Sequence, residues 1–205
     1  PRHERIVADV QPSAGYLHSG YPIVADMKAS PRMGNYEEMV SQGDWGYYHE
    51  LGHNHQQKEW TFDGTGEVTC NLFGLYCFDN IHHGKANHRF SDMTKWYEEA
   101  RAHIAGGAPF DDWKSKPFLA LTMYEQMIRE FGWEPFKTIF ADYQKMPASQ
   151  KPKTDLERRD QWMIRFSKQV NRNLGPFFEA WGVPTSEAAR KSIADLPAWM
   201  PESLQ

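Results

Sequence analysis

The stretch His49-Glu50-Leu51-Gly52-His53 constrains this chain more than any other feature. On an α-helix, residues four apart sit about 40° apart around the axis, so His49 and His53 project side by side from one face. Two imidazoles so placed can close on one zinc ion, and Glu50, adjacent to the first, stands where a carboxylate can accept a proton during hydrolysis. The chain must therefore put a helix through these residues and bring a third ligand to it from elsewhere, with a fourth position left open.

Three acids follow: Glu59, Asp63 and Glu67. Glu59 lies six residues past His53 at the end of the same expected helix and points away from the metal face. Asp63-Gly64 reads as a turn. Glu67 opens a second apolar segment, residues 68–76, whose spacing suits a buried helix packed against the first, so the expected ligand set is His49, His53 and Glu67. Asn71, one turn beyond Glu67, is expected to orient that carboxylate. A continuation with glycine three and histidine six residues after His53 is excluded, because Gln56 and Glu59 stand there. A purely structural zinc would be closed by four Cys or His ligands and would have no use for Glu50.

At these residues a resemblance becomes specific. His-Glu-Leu-Gly-His-Asn-His-Gln, then Trp60-Thr61-Phe62, then Gly66-Glu67-Val68-Thr69 with Asn71-Leu72, is similar to the enhancin-like M-60 family of zinc peptidases, which includes mucin-degrading O-glycopeptidases. His18-Ser19-Gly20-Tyr21-Pro22-Ile23 upstream, and Tyr124 with Phe131-Gly132-Trp133-Glu134 and Phe136 downstream, extend the likeness over about residues 15–145. Cys70 departs from it where a small polar residue such as asparagine is expected, and is read as facing away from Glu67.

The resemblance implies a zincin-like (gluzincin) α+β fold, predominantly helical, with a small N-terminal strand region and a C-terminal helical lobe. It implies one zinc ion per chain and a mucin-like, O-glycosylated protein as substrate. It also implies a bacterial protein that is secreted, periplasmic or on the cell surface. Glu50 is then the general base, and Tyr124, with His103 behind it, the expected donor to the oxyanion. Tyr16, His18, Tyr21 and Trp60 are candidate substrate contacts, Trp60 by stacking on a sugar. Two other readings stay open: a zinc protease indifferent to glycans, and a non-catalytic glycan- or protein-binding module on the same fold.

Composition narrows the partners. A net charge of −4 and a pI near 6.2 give no basic surface for nucleic acid or anionic lipid. No apolar run reaches the length of a transmembrane helix. Without an initiating Met or a leader, the chain is expected to be a mature fragment or a piece of a longer one. Cys70 and Cys77, seven residues apart on an expected helix, are separated by roughly 10 Å, too far for a disulfide. Both are expected to be buried thiols.

Taken in order, residues 5–10 read as a strand, 16–21 as an edge strand or bulged loop, and 23–25 as a second short strand. Residues 35–40 read as a short helix. Asp44 is the expected cap of the zinc helix, which runs to about Gln57, with His55 on its far side. His82, His83 and His88 fall in a polar loop and read as surface residues. Beyond Met93 the pattern is helical: residues 93–105, 117–131, 134–143, 155–173 and 177–181, and a last short helix after Ser186. One peptidase domain is expected over residues 1–205, with a zinc-helix half (1–80) and a helical lobe (93–205).

Overall fold

The computed structural model describes residues 3–83 and 86–204, and its architecture is α+β with helix predominant. Two compact units divide it, one formed by residues 1–56 and 69–92, the other by residues 57–68 and 93–205.

The first unit opens with three short strands, β1 (Ile6–Asp9), β2 (Leu17–His18) and β3 (Ile23–Asp26). They form one sheet in the order β1-β3-β2, with β1 parallel and β2 antiparallel to β3, so β2 is an edge. β3 alternates buried Ile23 and Ala25 with half-buried Val24 and Asp26, the period-two pattern of a strand with one face on the core. Two short helices follow, α1 (Ser30–Met33) and α2 (Tyr36–Gln42), the latter capped by Asn35.

Helix α3 (Trp45–His55) carries the histidine pair. It starts where the sequence places it, because the Asp44 carboxylate accepts the Tyr47 N–H at 3.1 Å. Tyr47 packs with Ala25 and Ala29, and Leu17 lies against this cluster, which seats α3 beneath the sheet. Helix α4 (Gly66–Asn80) is the second long element of the site. Gly52 lets the two helices touch: a Cβ there would lie 2.0 Å from the Cys70 carbonyl oxygen.

His82 is not the surface residue expected from its polar loop. It is buried, accepting the Tyr48 hydroxyl at Nε2 (2.7 Å) and donating from Nδ1 to the Val40 carbonyl (2.9 Å). Gly43 makes room for it, since a Cβ there would stand 2.7 Å from that Nε2. His88 likewise stacks on Phe78, with centroids 4.5 Å apart. Both cysteines are thiols, Cys70 buried and Cys77 only partly so.

The second unit is helical: α5 (Thr94–Ala105), α6 (Phe110–Ser115), α7 (Pro117–Phe131), α8 (Glu134–Lys145), α9 (Asp155–Val170), α10 (Gly175–Ala180) and α11 (Glu187–Lys191). Pro117 at the first position of α7, Gly132 (φ 70°) at its end and the Thr154–Glu157 capping box of α9 set these boundaries. Its core is aromatic, with Phe136, Phe140 and Phe166 packed around Trp162. No helix among the described residues is long and apolar enough to cross a membrane.

Candidate metal centre

One turn of α3 places His49 and His53 with ring centroids 4.6 Å apart. Glu67 sits in the first turn of α4, and the continuous backbone of that helix fixes it relative to Cys70 and Asn71. One ligand atom from each of His49, His53, Glu67 and Cys70 can be chosen so that all lie within 4.8 Å of one another.

Hydrogen bonds decide which imidazole nitrogens face inward. His49 Nδ1 is 2.8 Å from Asn71 Oδ1, and His53 Nδ1 is 2.8 Å from Gln56 Oε1. The Gln56 amide nitrogen donates to Thr69 Oγ1 at 2.6 Å. Amide oxygens only accept, so each ring carries its proton on Nδ1 and turns a lone pair out at Nε2. The two Nε2 atoms then stand 3.1 Å apart, lone pair to lone pair. Neutral imidazoles repel in that arrangement unless a cation sits between them. Around a tetrahedral zinc with bonds of about 2.0–2.1 Å, two nitrogens would be about 3.3–3.4 Å apart. The donor set thus fits the metal implied for it.

Cys70 requires a correction. Its position three residues after Glu67 puts it on the same side of α4, not facing away. Its Sγ is nevertheless closer to His49 Nδ1 (3.5 Å) than to Nε2 (4.0 Å). The thiol therefore lies against the His49 ring, nearer Nδ1, and still within 4.8 Å of the other three donors, whereas a metal would sit beyond Nε2. Asn71 engages His49 in addition to sharing a helix with Glu67. Glu50 follows His49 on α3 and is buried.

Other expected site residues fall elsewhere. Tyr124 lies inside the helical unit, 2 % exposed, its hydroxyl shut away from solvent and without a hydrogen-bond partner. Burial holds that hydroxyl well above the usual tyrosine range. A group that must donate to a substrate oxygen needs access, so the expectation for Tyr124 is withdrawn. His103 is buried on α5, its Nε2 3.4 Å from the Trp181 carbonyl, beside a cavity of about 500 Å³ within the helical unit. Trp60 is 1 % exposed and stacked on Phe140 with centroids 4.5 Å apart, so no ring face is open to a sugar. Glu59, as expected, is not a ligand; it is buried in an ion pair with Lys151 at 3.0 Å.

Tyr16 and Tyr21 are exposed at and just beyond the sheet edge. Between them, His18 is half-buried, with Nδ1 donating to the Ser19 carbonyl (3.0 Å) and Nε2 accepting the Ser13 hydroxyl (3.2 Å). The residues that sequence reasoning missed are Gln56 and Thr69, which hold His53, and Asn54. The Asn54 side chain takes both the N–H and the C=O of Gly20 (2.9 Å each) and reaches Glu4 at 3.0 Å. An amide three residues after a candidate ligand histidine was the available signal for Gln56.

Comparison with known proteins agrees with this fold. A family model described as peptidase M60, enhancin and enhancin-like, matches residues 1–182. The human protein named TRPM8 channel-associated factor 2 is 42% identical over 208 residues, covering 100% of this chain but only 22% of that protein. The chain thus spans about a fifth of that relative's length. Among solved structures, a conserved Bacillus anthracis protein of unknown function matches with a TM-score of 0.82 and 29% identity, over 97% of this chain and 40% of that one. IMPa from Pseudomonas aeruginosa, solved with an O-glycopeptide, matches with a TM-score of 0.65 over 100% of this chain and 28% of that one. At 19% identity this last likeness speaks to fold alone. The expectation of a bacterial origin is overturned by the human relative at 42% identity.

Proposed function

The chain belongs to the peptidase M60, enhancin and enhancin-like family, and from that premise we propose that it is a zinc-dependent endopeptidase acting on O-glycosylated protein. The observation that carries the reading is the pair of inward-facing Nε2 lone pairs 3.1 Å apart, with the Glu67 carboxylate beside them. His49, His53 and Glu67 would hold the ion. When bound, it would supply Lewis-acid polarisation of the scissile carbonyl and a water acidic enough to attack near neutral pH.

The chain's own residues do the rest. Asn71 and Gln56 keep both rings in the Nδ1–H tautomer. Glu50, held by α3 next to His49, accepts the proton of the attacking water and returns it to the leaving amine. The substrate class rests on the fold shared with IMPa, whose structure holds an O-glycopeptide.

A second reading is favoured by the 42% identity to TRPM8 channel-associated factor 2: a module that binds a channel protein and cleaves nothing. The two part in one experiment. The zinc-loaded chain is incubated with a mucin-type O-glycopeptide and with its deglycosylated form, alone, with a chelator, and as Glu50→Gln. We expect cleavage of the glycosylated peptide that the chelator abolishes and that Glu50→Gln lowers by at least about 100-fold. Stoichiometric zinc with no turnover of either peptide would refute catalysis and leave the binding module. Equal cleavage of both peptides would refute the glycan requirement.

A further inference from the structure

We propose that the cavity bounded by α5, α6 and the start of α7 is a binding site for a small organic ammonium ion, held at its charged end by the His103 ring and the carboxylates of Glu99 and Asp112. The inference stands apart from the peptidase reading, because every residue it uses lies in the helical unit.

The cavity, about 500 Å³, falls within the range of small-molecule sites. Its walls follow from how α5 ends. Gly106 caps that helix, Gly107 (φ 88°) and Ala108 (φ 47°) reverse the chain, and Pro109 leads into α6. The Gly182 backbone closes on this turn: a Cβ there would stand 1.8 Å from the Ala108 carbonyl oxygen. Next to it, the carbonyl of the buried Trp181 lies 3.4 Å from His103 Nε2, and the Trp181 indole donates to Gln126 Oε1 at 3.1 Å. The turn and the ring that line the cavity are thus held from behind before any ligand arrives, which lowers the cost of binding one.

The polarity of the walls selects the ligand. A carbonyl only accepts, so His103, 8 % exposed, carries its proton on Nε2 and leaves a lone pair at Nδ1, which has no hydrogen-bond partner among the described residues. Burial holds the ring's pKa below the ordinary histidine value, outweighing the Trp181 carbonyl and Asp112, so that lone pair is present near neutral pH. Glu99 and Asp112 add two carboxylates to the lining, and α5 brings its negative end, since Ala102, His103 and Gly106 belong to its last turn and cap. Among the lining side chains only Lys116 is cationic. Its Nζ lies 3.2 Å from Asp112, and Glu99 pairs with Lys95 at 3.6 Å. Both are exposed ion pairs along a helix, which are weak and yield to a better-placed cation. The first-turn N–H groups of α7, near Leu119, would favour an anion, but the Nδ1 lone pair and both carboxylates oppose one. A neutral hydroxyl would meet the same acceptors without gaining from their charge. Ala102, Pro109 and Leu119 supply the apolar contact, so the ammonium carries a short hydrocarbon chain.

Solution NMR of the zinc-loaded chain tests this with three probes of one length: n-butylammonium, butyrate and butan-1-ol. The ammonium should shift the His103 ring and Leu119 methyl resonances saturably, with half-saturation at least about tenfold lower than for the other two. Equal affinity for butan-1-ol would reduce the cavity to an apolar hole and overturn the proposal, as would tighter binding of butyrate or a shift with none of the three. Shifts confined to His49 and His53 would place the amine on the metal and overturn it too. Glu99→Gln and Asp112→Asn, at exposed positions, should each weaken n-butylammonium about 3- to 10-fold, and His103→Phe, which keeps the bulk of the ring without its lone pair, at least about tenfold. Unchanged affinity in the Glu99→Gln, Asp112→Asn double variant would overturn the proposal whether or not His103→Phe folds.

Discussion

Replacing Gly52 by alanine should damage the metal centre through a contact that involves no ligand. A Cβ at this position would lie 2.0 Å from the Cys70 carbonyl oxygen, 2.6 Å from its carbonyl carbon and 2.8 Å from its Cα. All three are backbone atoms in the middle of α4, so no side chain can swing aside. Real contacts of this kind begin at about 3.0 Å, which obliges the helices to separate by at least about 1 Å. Two consequences follow from that displacement. Overpacking at a helix crossing costs about 2 kcal/mol, which for a chain of this size lowers Tm by roughly 4–8 °C. The larger effect is on the metal, because coordination tolerates distance errors of only about 0.2 Å and α4 carries both Glu67 and the Asn71 amide that sets the His49 tautomer. Zinc affinity should fall by at least about tenfold. Thermal melts of the metal-free protein and competitive zinc titration of Gly52→Ala and Gly52→Ser measure the two separately. A variant that melts with the parent and keeps its zinc affinity would refute the close-approach reasoning.

Three further outcomes are expected. Gln56→Ala removes the acceptor of the His53 Nδ1–H and should weaken zinc binding about 10- to 100-fold in competitive titration, with helix content by circular dichroism unchanged. Tyr124→Phe deletes a buried hydroxyl without a partner, so Tm should hold or rise and turnover should not change; a loss of turnover of about 100-fold would restore Tyr124 as the oxyanion donor. For Glu59, burial works to raise the carboxyl pKa but the hydrogen bond from Lys151 and a backbone N–H outweigh it, so the folded value lies below the ordinary one. The stability this contributes is present above the ordinary carboxylate pKa and is lost as pH falls through the depressed one. Glu59→Gln should therefore cost about 1–3 kcal/mol by urea denaturation at neutral pH, with the gap to the parent closing in acid.

Helix starts were legible where local chemistry sets them, but α9 ends at Val170 rather than Asn173, α10 starts at Gly175 rather than Phe177, and α3 ends at His55 rather than Gln57. Asp44 caps α3, Thr154 and Glu157 box the start of α9, and Pro117 and Gly132 bracket α7, each acting through backbone groups within three or four residues. The elements that escaped, α1 and α6, have four and six residues, fewer than two turns, which is too short for any periodicity to register. His82 escaped for another reason. Its flanking residues are polar, and only the space above Gly43 and the Tyr48 hydroxyl makes a buried histidine there favourable. Burial with Cys77 and Asp44 nearby pushes Tyr48 up to about 12, so its hydroxyl keeps its proton near neutral pH.

The clustering of His49, His53 and Glu67 was legible to the extent that helical spacing alone decides it. His49 and His53 follow from a separation of four, and Glu67 from the start of the next helix. Aromatic residues carry no such signal: Trp60 and Tyr124 have the same side chains whether they line a cleft or fill a core, and packing against Phe140 and Trp162 decides for the core. Cys70 lies between these cases. Its separation of three from Glu67 places it on the metal side of α4 by arithmetic available from the sequence. How near its sulfur then comes to Nε2 of His49 depends on how closely α3 approaches. Gly52 brings the Cys70 backbone against α3, so the residue enters the site main chain first and its thiol is left on the Nδ1 side of His49. Moving the helices apart would release that thiol, so Gly52→Ala should differ from the double variant with Cys70→Ala in zinc affinity, whereas Cys70→Ala alone should bind zinc as the parent does.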